Sequence, residues 1–298
     1  MNTVRRIMFF RAIAISAIAL VALVALMTGS AFAITGNYVA DYDHPFVGLV
    51  VIYDSEDNFL WRGSGSLISP TVVLTAGHVV DTALGAASAR VYFQQDAGAH
   101  YDPATQHDPV SGYPDSDSID GMSRTSDELY NYGFSNFAGF PDTHDAGLVI
   151  LEQPIYMPDD EYGELPEEAG LLDSLATKRG PQKQVFTPSG YGLSYAVQEH
   201  SALSDISYRS RLMAQSTLVN LKSANTAGFN LQTQGNGNGR GGTCFGDSGG
   251  PVFLGGPESN LIVGINSFGM NSLCRGTDYA YRVDTEEVLD WIRGYLVD

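Results

Sequence analysis

Three short runs carry side chains of the kind that do chemistry. Gly246-Asp247-Ser248-Gly249-Gly250-Pro251 sets a serine among glycines. A nucleophilic serine needs a tight turn that exposes its hydroxyl, and backbone N–H groups aimed at a developing oxyanion. Glycines supply both the turn and the close approach of backbone to substrate. Leu74-Thr75-Ala76-Gly77-His78 ends on an imidazole. With an ordinary pKa near 6.5, that group suits general-base work around neutral pH. His144-Asp145-Ala146-Gly147-Leu148-Val149-Ile150-Leu151 brings an aspartate into an apolar run. A carboxylate there is costly unless it is paired, and an imidazolium is the natural partner. Alone, each run also has an ordinary structural reading: a solvated turn, a satisfied core histidine, a strand-capping aspartate.

The elements that must position these groups are short strands. Phe46 to Tyr53 is a valine-rich apolar run. Asp54 to Asn58 reads as a turn, and Phe59 to Ile68 as the returning arm of a hairpin. Val72 to Leu74, Arg90 to Gln94, Gly147 to Leu151 and Gln184 to Thr187 continue the series, as do Pro251 to Leu254, Leu261 to Ile265 and Ala280 to Val283. Many short strands with turn signals between them indicate barrels or sandwiches. A helix is predicted near the end of the chain. Asp284 and Thr285 cap its start, Glu286 and Glu287 occupy its first turn, and Val288, Ile292, Tyr295 and Leu296 recur at helical spacing. The acidic, polar stretch Gln94 to Thr143 reads as long loops. Gly235 to Gly242 reads as a flexible connector without the strand and helix of a nucleotide-binding loop.

Composition narrows the function. The 298 residues include 34 acidic and 16 basic side chains, a net charge of −18. That balance excludes a nucleic-acid binder, which needs a basic face, and docking on anionic lipid. Two cysteines cannot form a disulfide scaffold or a four-thiolate zinc site, and leave one disulfide possible. Arg5, Arg6 and Arg11 precede the uncharged run Ala12 to Met27, and Ala31-Phe32-Ala33 follows. This is the pattern of a secretory signal peptide, residues 1–33. The run is short for a membrane span of about 20 residues. Cleavage after Ala33 removes three arginines and no acid, which takes the charge to −21. The domain proper is residues 34–298, acting outside the cytoplasm, extracellular or periplasmic, and off the membrane once cleaved.

Together the three runs resemble the chymotrypsin-like (trypsin-fold) serine endopeptidases, in particular secreted bacterial members. They fall in the family's order His, Asp, Ser, and the resemblance spans Ile34 to the C-terminal helix. It implies an all-β fold of two six-stranded antiparallel β-barrels, with the active site between them and a C-terminal α-helix. It implies that Ser248 is the nucleophile, His78 the general base and later acid, and Asp145 the group that orients His78. The N–H groups of Gly246 and Ser248 would form the oxyanion hole. Ser267-Phe268-Gly269 would pair with substrate backbone as an added strand. Cys244 and Cys274 match a family disulfide beside the specificity pocket. A second family disulfide, next to the histidine, is missing, and its positions read Gly63 and Val79. Ile34-Thr35-Gly36 resembles the family's mature start, whose α-ammonium pairs with the aspartate before the nucleophile, here Asp247.

The specificity pocket is left in two registers. Gly242 and Thr243 match its base, and Gly242 lacks the charge of trypsin-type members. The opposite wall is Asp278 in one alignment and Tyr279 in the other, and a one-residue slip in a strand exchanges inward and outward side chains. Tyr279 is preferred, because an unpaired buried carboxylate at 278 is costly. That choice points to apolar residues such as Leu, Met, Phe or Tyr before the scissile bond. The resemblance further implies a monomer acting on protein or peptide substrates without cofactor or metal. His44, His100, His107, His144 and His200 lack metal-ligand spacing. Asp115 to Gly121 has one residue too many between its last acids for a calcium loop and reads as a solvated acidic loop. It lies within the 67 residues from His78 to Asp145, longer than the family usually needs, so an insertion borders the cleft.

Two other functions are weighed. A catalytically inactive binding module of the same family would usually lack a triad residue or the Gly-Asp-Ser-Gly-Gly run, and both are intact. Gly246-x-Ser248-x-Gly250 also fits the nucleophile elbow of α/β-hydrolase esterases. That fold places its histidine after the serine, and no histidine follows Ser248.

Overall fold

The run Val47 to Tyr53 is buried at every residue, as a valine-rich stretch bounded by turn signals predicts. It forms the central strand of the first half of a computed structural model that describes residues 34–97, 123–157, 161–177, 184–194, 210–235, 240–270 and 274–296. Residues 1–33, read from the sequence as a signal peptide, the run Asp115 to Gly121, read as an acidic loop, and His100, His107 and His200 lie outside the described residues. In chain order the strands are β1 (Thr35–Gly36), β2 (Tyr38–Ala40), β3 (Val47–Tyr53), β4 (Phe59–Leu67), β5 (Val72–Thr75) and β6 (Ser88–Tyr92). Then come β7 (Ser123–Ser126), β8 (Glu128–Asn131), β9 (Gly147–Ile150), β10 (Val185–Gly190), β11 (Leu212–Ala214) and β12 (Ser216–Asn220). The last are β13 (Asn230–Gln234), β14 (Gly241–Gly242), β15 (Pro251–Leu254), β16 (Ile262–Gly269) and β17 (Thr277–Arg282), followed by the helix α1 (Glu286–Arg293).

Both halves close on themselves. In the first, the order is β7-β6-β3-β4-β5-β9-β8. β7 and β8 are two parts of one bent segment, interrupted only at Asp127. The first part pairs with β6 and the second with β9, which joins the two ends of the sheet. The stretch Gln94 to Thr143, read from sequence as loops, therefore contains a barrel strand. Its residues are polar because it is half-exposed and needs only backbone partners. In the second half, β10 pairs with both β15 and β12, closing the ring β10-β12-β13-β17-β16-β15. This is the expected all-β architecture of two barrels flanking a cleft, with a C-terminal helix.

The hairpin turn after β3 forms as its residues dictate: Asp54 Oδ1 accepts from the N–H groups of Glu56 and Asn58 at 2.8 and 2.9 Å. The helix differs in detail. Thr285 holds the N-cap position without a side-chain cap, and Asp284 instead grips the Arg282 guanidinium at 2.8 Å. Val288, Leu289 and Ile292 are the buried face of α1. Tyr295 and Leu296 follow its last turn and pack against the core.

One buried polar cluster ties the N-terminal strand to both halves. The Arg211 guanidinium donates to the carbonyls of Asp41, Val47 and Phe93 at 3.0, 3.0 and 3.1 Å. The Asp41 carboxylate accepts from His44 Nδ1 at 2.8 Å and from the Ser189 hydroxyl. Burial alone would push the Asp41 carboxyl up, but His44, Ser189 and Arg211 together hold it below its ordinary value. His44, a bland residue in the sequence, is fully buried here. Arg211→Met should leave buried carbonyls without donors and lower the unfolding free energy by about 3–5 kcal/mol. A urea titration monitored by tryptophan fluorescence reads this as a lowered midpoint.

Candidate active site

Strand pairing delivers the histidine and aspartate to one place. β5 and β9 are antiparallel with Thr75 opposite Gly147, so the segments beyond them, Ala76 to His78 and Asp145 to Ala146, lie side by side. Gly77 is required there, because a Cβ would come within 2.8 Å of Phe134 Cβ and 3.0 Å of the Ala146 carbonyl. The Asp145 carboxylate, fully buried, accepts the His78 backbone N–H at 2.8 Å and faces His78 Nδ1 at 2.9 Å. The Ser267 hydroxyl donates to Oδ2, the oxygen that also faces Nδ1. Burial alone would lift the Asp145 pKa. The charge and hydrogen bonds of His78, with help from Ser267, outweigh it and hold the carboxyl ionised. For His78, burial pushes the pKa down and the Asp145 carboxylate more than reverses this, leaving it above 6.5.

Ser248 stands in the loop between Cys244 and β15. That loop belongs to the second barrel but is held by the first: Ser64 on β4 donates its N–H to the Ser248 carbonyl at 2.7 Å and its hydroxyl to the Gly246 carbonyl at 2.9 Å. Gly246 and Gly249 have φ of 92° and 85°. A Cβ on Gly249 would lie 2.1 Å from Thr75 Oγ1, so only glycine fits. Gly63 is equally constrained, since a Cβ would meet the Ser248 carbonyl at 2.7 Å and Val79 Cγ2 at 2.8 Å. Gly63 and Val79, the two positions of the missing disulfide, are thus in contact. Among the described residues, neither the Gly246 nor the Ser248 backbone N–H donates to a protein acceptor. Ser248 and His78 line the same cleft, of about 870 Å³, but no hydrogen bond joins them.

Asp247 points away from the cleft. It is fully buried and accepts the N–H groups of Gly192 and Cys244 at 2.8 and 2.9 Å. Burial pushes its carboxyl up to about 7, and nearby Asp278 adds to the rise. Ile34, whose nitrogen is in peptide linkage here, is fully buried against Leu212 and Ala214. The next residues pair with β14, Thr35 opposite Gly242. Among the described residues no ion pair or hydrogen bond links Ile34 to Asp247.

The rest of the cleft is shaped by β16 and β17. β15 pairs with β16 only as far as Ile265, so among the described residues no strand pairs with Ser267, Phe268 and Gly269 on that side. Cys244 and Cys274 form the expected disulfide at the cleft rim. Tyr279 lies opposite Phe268, its ring stacked on the Phe268 ring at 4.6 Å, and its hydroxyl accepts from Gln232 Nε2 at 2.9 Å. Tyr279, Asp278 and Gly242 are not among the residues that line the cleft, whereas Thr243 is. Asp278, on the opposite face of β17 from Tyr279, accepts the Thr243 N–H at 2.8 Å. The register turns on a β-bulge between Asn266 and Phe268, which no residue pattern announces. The cleft also carries aromatic side chains that the sequence reading missed: Trp61, Phe134 and Phe137. Their only sequence signal is apolar character inside segments rich in polar residues.

Two closed barrels with a buried His–Asp pair and a serine loop facing one cleft define a serine-protease architecture. The trypsin family model ("Trypsin") matches residues 34–292, and the chain belongs to this family. Among solved structures, HL collagenase is similar at 19% identity and a TM-score of 0.58, covering 88% of this chain and 98% of its own. The scabies mite inactivated protease paralogue S-D1 is similar at 18% and 0.57, covering 88% and 97%. At these identities the likeness is one of fold. No curated protein sequence matches the chain. Among the described residues no helix is long and apolar enough to cross a membrane.

Asp145→Asn should remove the charge that raises His78 and so move its titration to lower pH, with burial then dominating. Imidazole proton NMR reads the shift directly. The wild-type stabilisation from the pair is complete below the unfolded histidine's value of about 6.5 and fades as pH rises through the higher folded one. Wild-type and variant stabilities should therefore converge at alkaline pH.

Proposed function

We propose that the chain is a secreted serine endopeptidase that hydrolyses peptide bonds through Ser248, His78 and Asp145. The observation that carries this reading is the fixed His78–Asp145 pair across the cleft from a serine loop whose two flanking N–H groups have no protein acceptor. His78 takes the Ser248 proton as the hydroxyl oxygen attacks the substrate carbonyl carbon. The oxyanion that forms is met by the N–H groups of Gly246 and Ser248. His78 then returns the proton to the leaving amine, and water releases the acyl-enzyme by the same steps. A hydrogen bond from Ser248 to His78 that is absent in the empty cleft forms as substrate seats, as apo catalytic contacts commonly do. Substrate backbone adds to Ser267–Gly269. The Asp278 carboxylate beside Thr243 favours a basic side chain before the scissile bond.

Maturation belongs to the same proposal. Residues 1–33 are a signal peptide, and residues 34–298 the peptidase domain. Signal peptidase frees the Ile34 ammonium, which pairs with Asp247 and supplies the cation this buried carboxylate lacks. A second reading is a catalytically inactive binding module. The unformed Ser248–His78 hydrogen bond and the likeness to an inactivated paralogue favour it.

Two measurements decide. An organofluorophosphate should label Ser248 alone, and Ser248→Ala should abolish cleavage of casein. His78→Ala should lose nearly as much, since the group acts as a unit. Absence of both labelling and cleavage in the mature chain supports the binding module instead. Mass spectrometry of the secreted protein should find Ile34 first, and a version beginning Met-Ile34 should be largely inactive. A start well downstream, or full activity of the Met-Ile34 form, rejects this maturation route.

A further inference from the structure

The chain is strongly acidic, but its cleft is not. The sequence holds 34 acidic and 16 basic side chains, yet among the described residues that line the cleft there is no aspartate, glutamate or lysine. Apart from the ring of His78, the one ionisable side chain on that lining is Arg62. A guanidinium keeps its charge at any working pH. Salt screens the acids elsewhere on the surface beyond about 8–10 Å, so this local cation sets the field that a bound peptide meets.

The course of β4 places Arg62 beside the chemistry. Ser64 donates its N–H to the Ser248 carbonyl at 2.7 Å, and a Cβ on Gly63 would meet that same carbonyl at 2.7 Å. Arg62 is the next residue outward along the strand. Its guanidinium lies over the Phe59 ring, 5.5 Å from the centroid, a cation–π contact that helps to hold it. Leu60 and Trp61 line the cleft as well, and apolar neighbours leave a charge less screened than open water does. The serine loop is held from both barrels. β4 grips it from the first, and Asn266 on β16 grips it from the second, through backbone bonds with Gly250 and Gly249 at 2.9 and 2.8 Å. With the acyl part of a substrate along Ser267–Gly269, the part that leaves crosses toward β4.

We propose that Arg62 is a specificity-determining residue that binds the carboxylate of an Asp or Glu within the first two residues after the scissile bond. Two residues of extended chain span about 7 Å, which keeps such a side chain beside the outer end of β4. A guanidinium fork matches a carboxylate and carries more N–H donors than one partner uses. The inference rests on the endopeptidase reading, in which the leaving piece continues past these residues, so a side chain rather than a chain end supplies the carboxylate.

The test starts from the casein bond that the mature protein cuts fastest. Synthetic peptides spanning that bond carry Glu, Gln or Lys at the first or the second residue after it and are otherwise identical. In wild type, kcat/KM should be about tenfold higher for Glu than for Gln at one of these positions, the scale of a charged hydrogen bond, with Lys lowest. The Glu-to-Gln ratio should shrink as salt rises from about 0.01 M to about 1 M. Arg62→Gln should erase the preference, and Arg62→Glu should transfer it to Lys, a reversal that lost packing cannot produce. Equal rates for Glu and Gln in wild type, a ratio indifferent to salt, or a Glu preference that survives Arg62→Gln overturns the role of Arg62. The salt series needs wild type alone and decides the question if the variants fail to fold. Casein cleavage without a carboxylate preference overturns this inference and leaves the endopeptidase reading standing, whereas absence of any cleavage overturns both.

Discussion

Everything at the cleft depends on how one buried carboxylate is satisfied. Asp145 is shut off from solvent, so its charge persists only because the His78 N–H, the His78 ring and the Ser267 hydroxyl all meet it. The backbone and ring of His78 come from the first barrel, and the Ser267 hydroxyl comes from β16 of the second. The interaction that orients the imidazole is therefore also a cross-barrel contact. Ser64 provides a second one in the opposite sense, reaching from β4 to the loop that carries Ser248. Histidine, aspartate and serine keep their relation because the two halves cannot shift without breaking buried polar bonds.

The second barrel shapes the other side of this frame. The stacked Phe268 and Tyr279 rings fill one face of the β16–β17 ladder, so the other face is left to short and polar side chains. Asn266 and Asp278 lie on that second face, and the Asp278 carboxylate accepts the Thr243 N–H beside the cleft.

Much of this was legible in the sequence, and the limits were physical. Strands that bury both faces, such as Val47–Tyr53 and Val72–Thr75, announce themselves as continuous apolar runs. The three runs bearing His78, Asp145 and Ser248 were readable because the glycines around them are sterically required, as at Gly77 and Gly249. Ser123–Asn131 was not legible as a strand, because its pairing with β6 and β9 is made by backbone groups that any side chains permit. Nor was the pairing of β16 with β17, which takes in one extra residue at a bulge. The role of Asp284 was also hidden: an aspartate before a helix looks like a cap until an arginine two residues earlier claims it.

The contact between Gly63 and Val79 leaves the covalent constraint lopsided. With side-chain packing at the two positions where the family resemblance implies a disulfide, the barrel holding His78 contains no cross-link, and the sole disulfide joins two segments of the other half at the rim of the cleft. A reducing medium would therefore reach covalent structure only at that rim, freeing the Cys244 segment from the Cys274 segment.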